Sequence, residues 1–345
     1  MSQAFLRRGL SVAAIAAAAA VLASCSTPEP EAPPPPPVVT PVPPVSLNEG
    51  VAQAASVYVA FVRDVSTIQG GFPDAEAIQA AIRKGAAYEP GQLSRGMIAY
   101  GSILALQSPE YVAGVRQFAS TPALRQQMIA SIVADPAYAA TLPGAQAAAG
   151  LITATMGRDI ATLTAIAEAV EGDAYTIQER NDPRRRWAVT PIPRREVRLE
   201  SAKSLSVAQL PSAEESARLF AAAHTGSGLN LTPAQRDAPF TPAVVNSLAM
   251  AALAALGAAG EDARANTDAL SNESNNEFCL SMSKLMLFQC LAASRPSYED
   301  MFCTGRHIVR DLATCTAQYT GPVPVQTTPA VTMAETTPTP GSGMN

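Results

Sequence analysis

Alanine dominates the apolar residues of this 345-residue chain, and that bias constrains the fold more tightly than any single motif. Alanine is the best helix former, whereas a β-sandwich or barrel would require many more valine, isoleucine, tyrosine and phenylalanine residues. Aromatic residues make up only 5% of the chain. The composition therefore predicts an all-α fold, and the length leaves room for one large or two ordinary domains.

Helix starts are marked repeatedly by a short polar residue followed by proline. The polar side chain accepts a hydrogen bond from a free amide, and proline loses no bond at the first helical position. Ser46 with Glu49, and Ser212 with Glu215, have the spacing of a capping box. The polar–proline pairs are Ser108-Pro109, Thr121-Pro122, Asp135-Pro136, Thr232-Pro233 and Thr241-Pro242. The predicted helices cover 47–65, 74–88, 90–107, 109–119, 122–134, 144–179, 212–224, 242–258, 277–294 and 297–314.

The predicted helix over 144–179 carries one apolar stripe whose members recur every three or four residues and therefore share a face. They are Ile152, Met156, Ile160, Leu163, Ile166 and Val170. We expect this stripe to pack in the core, with docking of a partner helix as the alternative. The helix over 242–258 is apolar on nearly all sides, which predicts burial at the centre of the body.

The N-terminus has the features of a secretory signal. Arg7 and Arg8 precede an apolar run over 10–22, and small residues follow it. The run is shorter than the roughly 20 residues that a transmembrane helix needs. Its last residues, Leu22-Ala23-Ser24-Cys25, resemble the lipobox of bacterial lipoprotein signals.

This resemblance implies that residues 1–24 are removed and that Cys25 is the lipidation site. The Cys25 thiol would carry a diacylglycerol and its new amine an acyl chain such as palmitate, which would hold the protein on a membrane. Ser26, rather than aspartate, follows the cysteine, which favours the outer membrane. We expect a protein that faces the periplasm, with exposure on the cell surface as the alternative.

Two segments of the mature chain are predicted to lie outside the folded body. Residues 25–45 form the lipid anchor and a proline-rich tether, which as polyproline II would reach roughly 60 Å. Residues 321–345 form a tail rich in proline and threonine that we expect to be disordered. The all-helical body is assigned to residues 46–320, with a sub-boundary at the arginine-rich segment 180–211.

Positive charge is concentrated in one short part of an acidic chain. The net charge is −5, and loss of Arg7 and Arg8 with the signal leaves −7, which argues against nucleic-acid binding. Residues 180–203 nevertheless hold eight basic and three acidic side chains, and their prolines predict a loop or an extended crossing. The candidate residues for binding an anion or a partner are Arg180, Arg184, Arg185, Arg186, Trp187, Arg194, Arg195 and Arg198.

Two interpretations of this segment stay open. The arginines either pair with acidic helices and fasten the crossing onto the body, or they bind an anionic envelope component. The partners we consider are lipid headgroups, lipopolysaccharide phosphates, peptidoglycan carboxylates and an acidic protein. Arginine suits all of them because its planar fork meets a carboxylate or phosphate with two hydrogen bonds at once.

Four cysteines near the C-terminus predict a disulfide-linked helical hairpin over 277–318. Cys279 and Cys290 are eleven residues apart on one helix, or roughly 16 Å by rise, whereas a disulfide requires Cα atoms within about 7 Å. The same argument excludes Cys303–Cys315. In an antiparallel hairpin the residues nearest the turn meet, which predicts Cys290–Cys303 inside Cys279–Cys315.

The cysteine layout also resembles the hairpins of coiled-coil-helix proteins, which carry two cysteines on each helix. Here the spacings are longer, with ten and eleven residues between the cysteines of a helix. A zinc site built from all four cysteines is the alternative, although zinc sites usually take two ligands from one tight knuckle.

The sequence predicts a lipid-anchored, non-catalytic scaffold or interaction protein of the envelope. Familiar catalytic and nucleotide-binding motifs are absent, and no cofactor or metal is expected. Ser281-Met282-Ser283-Lys284 fits the Ser-x-x-Lys pattern of penicillin-binding enzymes, but the accompanying motifs occur in reversed order and the required sheet is not predicted. The alternatives are a surface-exposed or released lipoprotein that assists secretion or nutrient uptake, and an envelope enzyme of unrecognised type.

Overall fold

Helices form nearly all of the regular structure in the computed structural model, which describes residues 43–179 and 183–321. This confirms the predicted all-α fold. Within these residues the only β-type pairings are two isolated bridges, Leu47–Ala259 and Pro191–Pro296. The helices are α1 (Glu49–Val65), α2 (Ala75–Ala86), α3 (Pro90–Ala105), α4 (Pro109–Arg116), α5 (Pro122–Ala134), α6 (Ala145–Glu179), α7 (Arg186–Val189), α8 (Arg195–Ser204), α9 (Ala213–Thr225), α10 (Pro242–Ala255), α11 (Arg264–Leu270), α12 (Ser274–Ala293), α13 (Ser297–Thr304) and α14 (Asp311–Thr320).

The predicted capping chemistry sets most helix starts. Ser108, Thr121 and Thr241 each accept a bond of 3.2 Å from the amide three residues further on. Asp135 caps a 3-10 helix, Pro136–Thr141, rather than an α-helix. Thr232-Pro233 begins no helix, because residues 227–241 form an irregular connection.

One capping box was predicted two residues too early. The cap of α1 is Asn48, which accepts from the amide of Val51, whereas the amide of Ser46 donates to the carbonyl of Ala254 at 3.0 Å. The backbone of Ser46 is therefore hydrogen-bonded to α10, and α1 begins only after it. The second box was placed correctly, since Ser212 accepts from the amide of Glu215.

The core surrounds α10, which is buried on nearly all sides as predicted. Tyrosine hydroxyls satisfy polar groups around it. The Tyr111 hydroxyl donates to the carbonyl of Leu248 at 2.9 Å, and the Tyr319 hydroxyl lies 2.7 Å from Ser247 Oγ. The stripe of α6 also packs in the core, with four members fully buried and Ile160 and Ile166 partly buried.

The helix α6 is the longest of the described helices, and its two ends mark two regions of the body. At 1.5 Å per residue its 35 residues span about 52 Å. Its N-terminus follows Gly144 (φ 82°), where a Cβ atom would stand only 2.5 Å from the amide nitrogen of Tyr111 in α4. The last residue of α4, Arg116, donates to the carbonyl of Pro43 at 3.0 Å. We call this region, where the described chain begins, the proximal end.

The opposite, distal end is formed around the last turns of α6. There Asp173 accepts from the amide of Gly71 at 2.8 Å, just beyond the C-terminus of α1. Asp173 lies 28 residues, or about 42 Å, along α6 from Ala145. Among the described residues, no helix combines the length and the apolar character needed to cross a bilayer.

The disulfide-linked hairpin is confirmed. Cys279 bonds Cys315 and Cys290 bonds Cys303, with Cα atoms 5.7 Å apart in each pair. The second arm is longer than predicted, because α13 continues through a π-helical turn, Gly305–Arg310, into α14. The two disulfides use all four sulfurs, which leaves none to bind zinc.

The π-helical turn explains how cysteines with unequal spacing can pair. The eleven residues from Cys279 to Cys290 make about three α-helical turns, so both sulfurs lie on one face. Cys315 is twelve positions after Cys303, which in a regular helix would place its sulfur about 120° around the axis from that of Cys303. A π turn accommodates one additional residue, and it restores the shared face.

The expectation of a loop or extended crossing over 180–203 was wrong for most of its length. Pro183–Arg185 form a 3-10 helix that leads into α7, and α8 covers Arg195–Ser204. Pro183 begins the 3-10 helix, Pro191 and Pro193 lie between α7 and α8, and no proline follows Pro193 until Pro211. The later part of the segment is therefore free to become helical.

Candidate functional site

The arginine-rich segment forms part of the distal end. Arg180 and Cys25 lie outside the described residues, as does the tether before Pro43. Arg184 belongs to the 3-10 helix Pro183–Arg185. The remaining candidates divide into side chains that bind the body and side chains that face solvent.

Arg198 is buried in the body. Its Nη1 donates to both carboxylate oxygens of Asp300 at 2.6 Å, and its Nη2 donates to the carbonyl of Leu291. The two charged side chains are only 4% and 0% exposed. Arg198 therefore fastens α8 to the hairpin, and no external ligand can reach it.

Asp300 is held by further donors besides Arg198. Ser294 Oγ donates at 2.6 Å and Gln79 Nε2 at 2.9 Å. Burial raises the pKa of Asp300 above its ordinary value, and the bonds from Ser294, Arg198 and Gln79 oppose that increase. The cluster joins α2, α8 and both arms of the hairpin.

Arg185 and Arg195 also bind the body. Arg185 pairs with Asp173 of α6, the residue that holds the amide of Gly71. Arg195 Nη2 donates to the carbonyl of Ala292 near the end of α12 at 2.5 Å. Trp187 is partly buried against the core. These contacts fit the interpretation that the segment fastens itself onto the body.

Arg186 and Arg194 face solvent at the same end. A third exposed arginine, Arg295, joins them because its carbonyl accepts from the amide of Ile192 at 2.8 Å. None of the three has an ion-pair partner among the residues that the structure describes. Sequence analysis missed Arg295, which lies about 100 residues away in the chain.

The Ser-x-x-Lys pattern does not form a catalytic pair. Ser281 is exposed on α12, whereas Lys284 is buried. Lys284 Nζ donates to the carbonyls of Ala86 and Tyr88 at 2.7 and 2.8 Å, and it lies 3.4 Å from the centroid of the Tyr88 ring. Burial lowers the pKa of Lys284 to about 7. Its place at the C-terminus of α2, where cations stabilise the last carbonyls, is a structural one.

A large cavity lies near the proximal end. It has a volume of about 650 Å³ and is bounded by Glu110 of α4 and the cap Ser108, by Leu151 of α6 and by the connection over 226–235. Glu110 is the one titratable residue that lines it. Nowhere in the described ranges do three or more His, Cys, Asp or Glu residues cluster as metal ligands.

Comparison with known proteins adds no relative from which a function could be transferred. No protein-family model, no curated protein sequence and no solved structure matches this chain.

Proposed function

We propose that this protein is a lipid-anchored, non-catalytic scaffold of the bacterial envelope that binds an anionic envelope component through its distal end. The observation that carries the proposal is the group of exposed arginines, Arg186, Arg194 and Arg295, on a chain whose net charge is negative. Arg198, by contrast, is buried beside Asp300 and holds α8 against the hairpin.

The position of this group supports a bridging role. The chain enters the body at Pro43 near the proximal end, whereas the exposed arginines lie near Asp173, about 42 Å along α6. A lipid anchor at Cys25 would then hold one end of the molecule and leave the other end available to a partner. The outer membrane, with the body in the periplasm, is the location we propose.

The test compares two double variants that change the charge equally. Arg186→Glu/Arg194→Glu reverses two exposed distal cations, and Arg158→Glu/Arg264→Glu reverses two exposed cations elsewhere. Binding to lipopolysaccharide, anionic vesicles and purified peptidoglycan is measured by co-sedimentation at two salt concentrations. We expect the distal variant alone to lose binding, and wild-type binding to weaken in salt, because screening acts over about 8 Å at physiological ionic strength.

A role in nutrient uptake or secretion is the second candidate, and the proximal cavity favours it. Its volume of about 650 Å³ falls in the range of small-molecule sites. Protease treatment of intact cells distinguishes the two, because a surface-exposed lipoprotein is degraded and a periplasmic scaffold is protected.

A further inference from the structure

An aromatic cleft lies at the distal end between the last turns of α6 and the first turns of α13. Its volume is about 210 Å³, and Ala174, Tyr175, Gln178, Tyr298, Glu299 and Phe302 line it. The rings of Tyr175 and Phe302 meet edge to face with centroids 5.9 Å apart. In a chain with 5% aromatic residues, three aromatic side chains around one small cleft are a marked concentration.

The aromatic surface of the cleft is open to solvent. Tyr175 is 49% exposed although it is a large side chain on a long core helix. The volume is below the roughly 300–1,000 Å³ of drug-sized sites, and it suits one six-membered ring. Aromatic faces stack on the C–H faces of sugar rings, because both surfaces are flat and apolar while the ring substituents remain polar.

Polar groups at the rim suit the hydroxyl and amide groups of a sugar. Gln178 is exposed on α6 and presents a side-chain amide that can both donate and accept. Glu299 Oε2 accepts from the amide of Arg295 at 2.7 Å, which fixes the carboxylate at the mouth of the cleft. Its second oxygen is left to accept from a ligand hydroxyl.

Two exposed arginines lie close in the chain to residues of the cleft. Arg295 is four residues before Glu299, in the connection that precedes α13, and Arg306 is four residues after Phe302. Neither has an ion-pair partner within residues 43–179 and 183–321. Each guanidinium can take a carboxylate with two hydrogen bonds. The ligand chemistry that satisfies both features is a sugar ring with carboxylates on an attached peptide.

We infer that this cleft binds one sugar ring of the peptidoglycan strand, the envelope glycan whose attached peptides carry free carboxylates. The inference rests on the proposed function, since it names the partner of the distal end. A membrane surface fits less well, because lipid headgroups do not require an aromatic cleft of ring size.

The test uses full-length protein released from the membrane in detergent, with purified sacculi as the probe. Tyr175→Ala removes one exposed ring of the cleft, and Tyr138→Ala removes a comparably exposed tyrosine in the 3-10 helix Pro136–Thr141. We expect Tyr175→Ala to weaken co-sedimentation about tenfold at unchanged melting temperature, and Tyr138→Ala to leave it unchanged. Arg295→Glu/Arg306→Glu should weaken binding as well, and the residual binding should depend less on salt.

Soluble ligands test the contributions of the aromatic cleft and of the two arginines one at a time. Trp187 is the only tryptophan in the chain, and its helix α7 packs against α13, so its fluorescence reports on ligand at the cleft. A disaccharide-peptide fragment of peptidoglycan should bind more tightly than an uncharged chitin oligosaccharide, and the difference should disappear in Arg295→Glu/Arg306→Glu.

The outcomes distinguish failure of this inference from failure of the proposed function. If binding to sacculi falls in Arg186→Glu/Arg194→Glu but not in Tyr175→Ala, the cleft is not the binding site. The proposal that the distal end binds an anionic envelope component would then still hold. Binding to anionic vesicles and not to sacculi would overturn peptidoglycan as the partner. Wild-type protein that binds no anionic component would overturn both.

Discussion

The buried pair Arg198–Asp300 is the most informative place to perturb the fold. Arg198→Met leaves the Asp300 carboxylate at 0% exposure without its cation. Breaking a buried pair on one side costs about 3–5 kcal/mol of the free energy of unfolding. At about 2–4 °C per kcal/mol for a domain near this size, the melting temperature should fall by about 6–20 °C.

The control for this variant lies on the same helix. Lys203 pairs with Glu200 of α8 at 2.8 Å, but the two side chains are 44% and 69% exposed. Lys203→Met should therefore cost less than about 1 kcal/mol. Urea denaturation of both variants at pH 7 gives the two free energies, provided that the m-values are unchanged.

A double variant and a change of pH test the reasoning further. Arg198→Met/Asp300→Leu removes both charges and should be more stable than Arg198→Met alone. The difference in unfolding free energy between wild type and Arg198→Met should also become smaller from pH 7 toward pH 4, because protonation of Asp300 removes the uncompensated buried charge. Two results would refute this account. One is a loss of unfolding free energy in Arg198→Met no larger than the loss in Lys203→Met, and the other is a loss that does not change with pH.

Three other predictions concern Cys25, Lys284 and the two disulfides. Cys25→Ala should block acylation and cleavage of the signal, and a variant that still partitions into detergent as an acylated product would contradict the lipobox interpretation. Because the pKa of Lys284 is lowered to about 7 from 10.5, the unfolded chain binds its proton more tightly between those values. Lys284 should therefore contribute an increase in the free energy of unfolding as pH rises from 7 to 10.5. Denaturation at pH 7 and pH 9 should show this increase in the wild type and not in Lys284→Met. Replacing both cysteines of a disulfide by serine should lower the free energy of unfolding by roughly 4 kcal/mol for Cys279–Cys315 and roughly 3 kcal/mol for Cys290–Cys303. The larger loss belongs to the longer loop, because the paired residues are 36 and 13 apart in the two cases. A larger loss for Cys290–Cys303 in urea denaturation would argue against the loop-entropy model.

Local chemistry made most of the helices predictable. Caps such as Ser108, Thr121 and Thr241 act within three residues, so the sequence alone locates them. The cysteine pairing was predictable because a hairpin geometry leaves one arrangement for Cys279, Cys290 and their partners. The helix α8 was missed because nearby prolines were given more weight than the proline-free run after Pro193.

The candidate site was only partly predictable, because it depends on contacts between distant parts of the chain. The exposed arginines of the segment were proposed from their local charge. Whether Arg198 faces solvent or Asp300 depends on packing between residues 102 positions apart. The cleft likewise joins Tyr175 to Phe302, and no local signal marks an exposed tyrosine on one helix as the neighbour of an aromatic residue on another.

The π-helical turn has a consequence for how this chain can vary in length. Cys303 and Cys315 are one residue further apart than a regular helix would need, and Gly305–Arg310 absorb the excess. Deletion of a single residue between those cysteines would convert the turn to regular α-helix and leave both crosslinks in register. Within this arm the hairpin thus tolerates a one-residue deletion, whereas the same change between Cys279 and Cys290 would move one sulfur off the shared face.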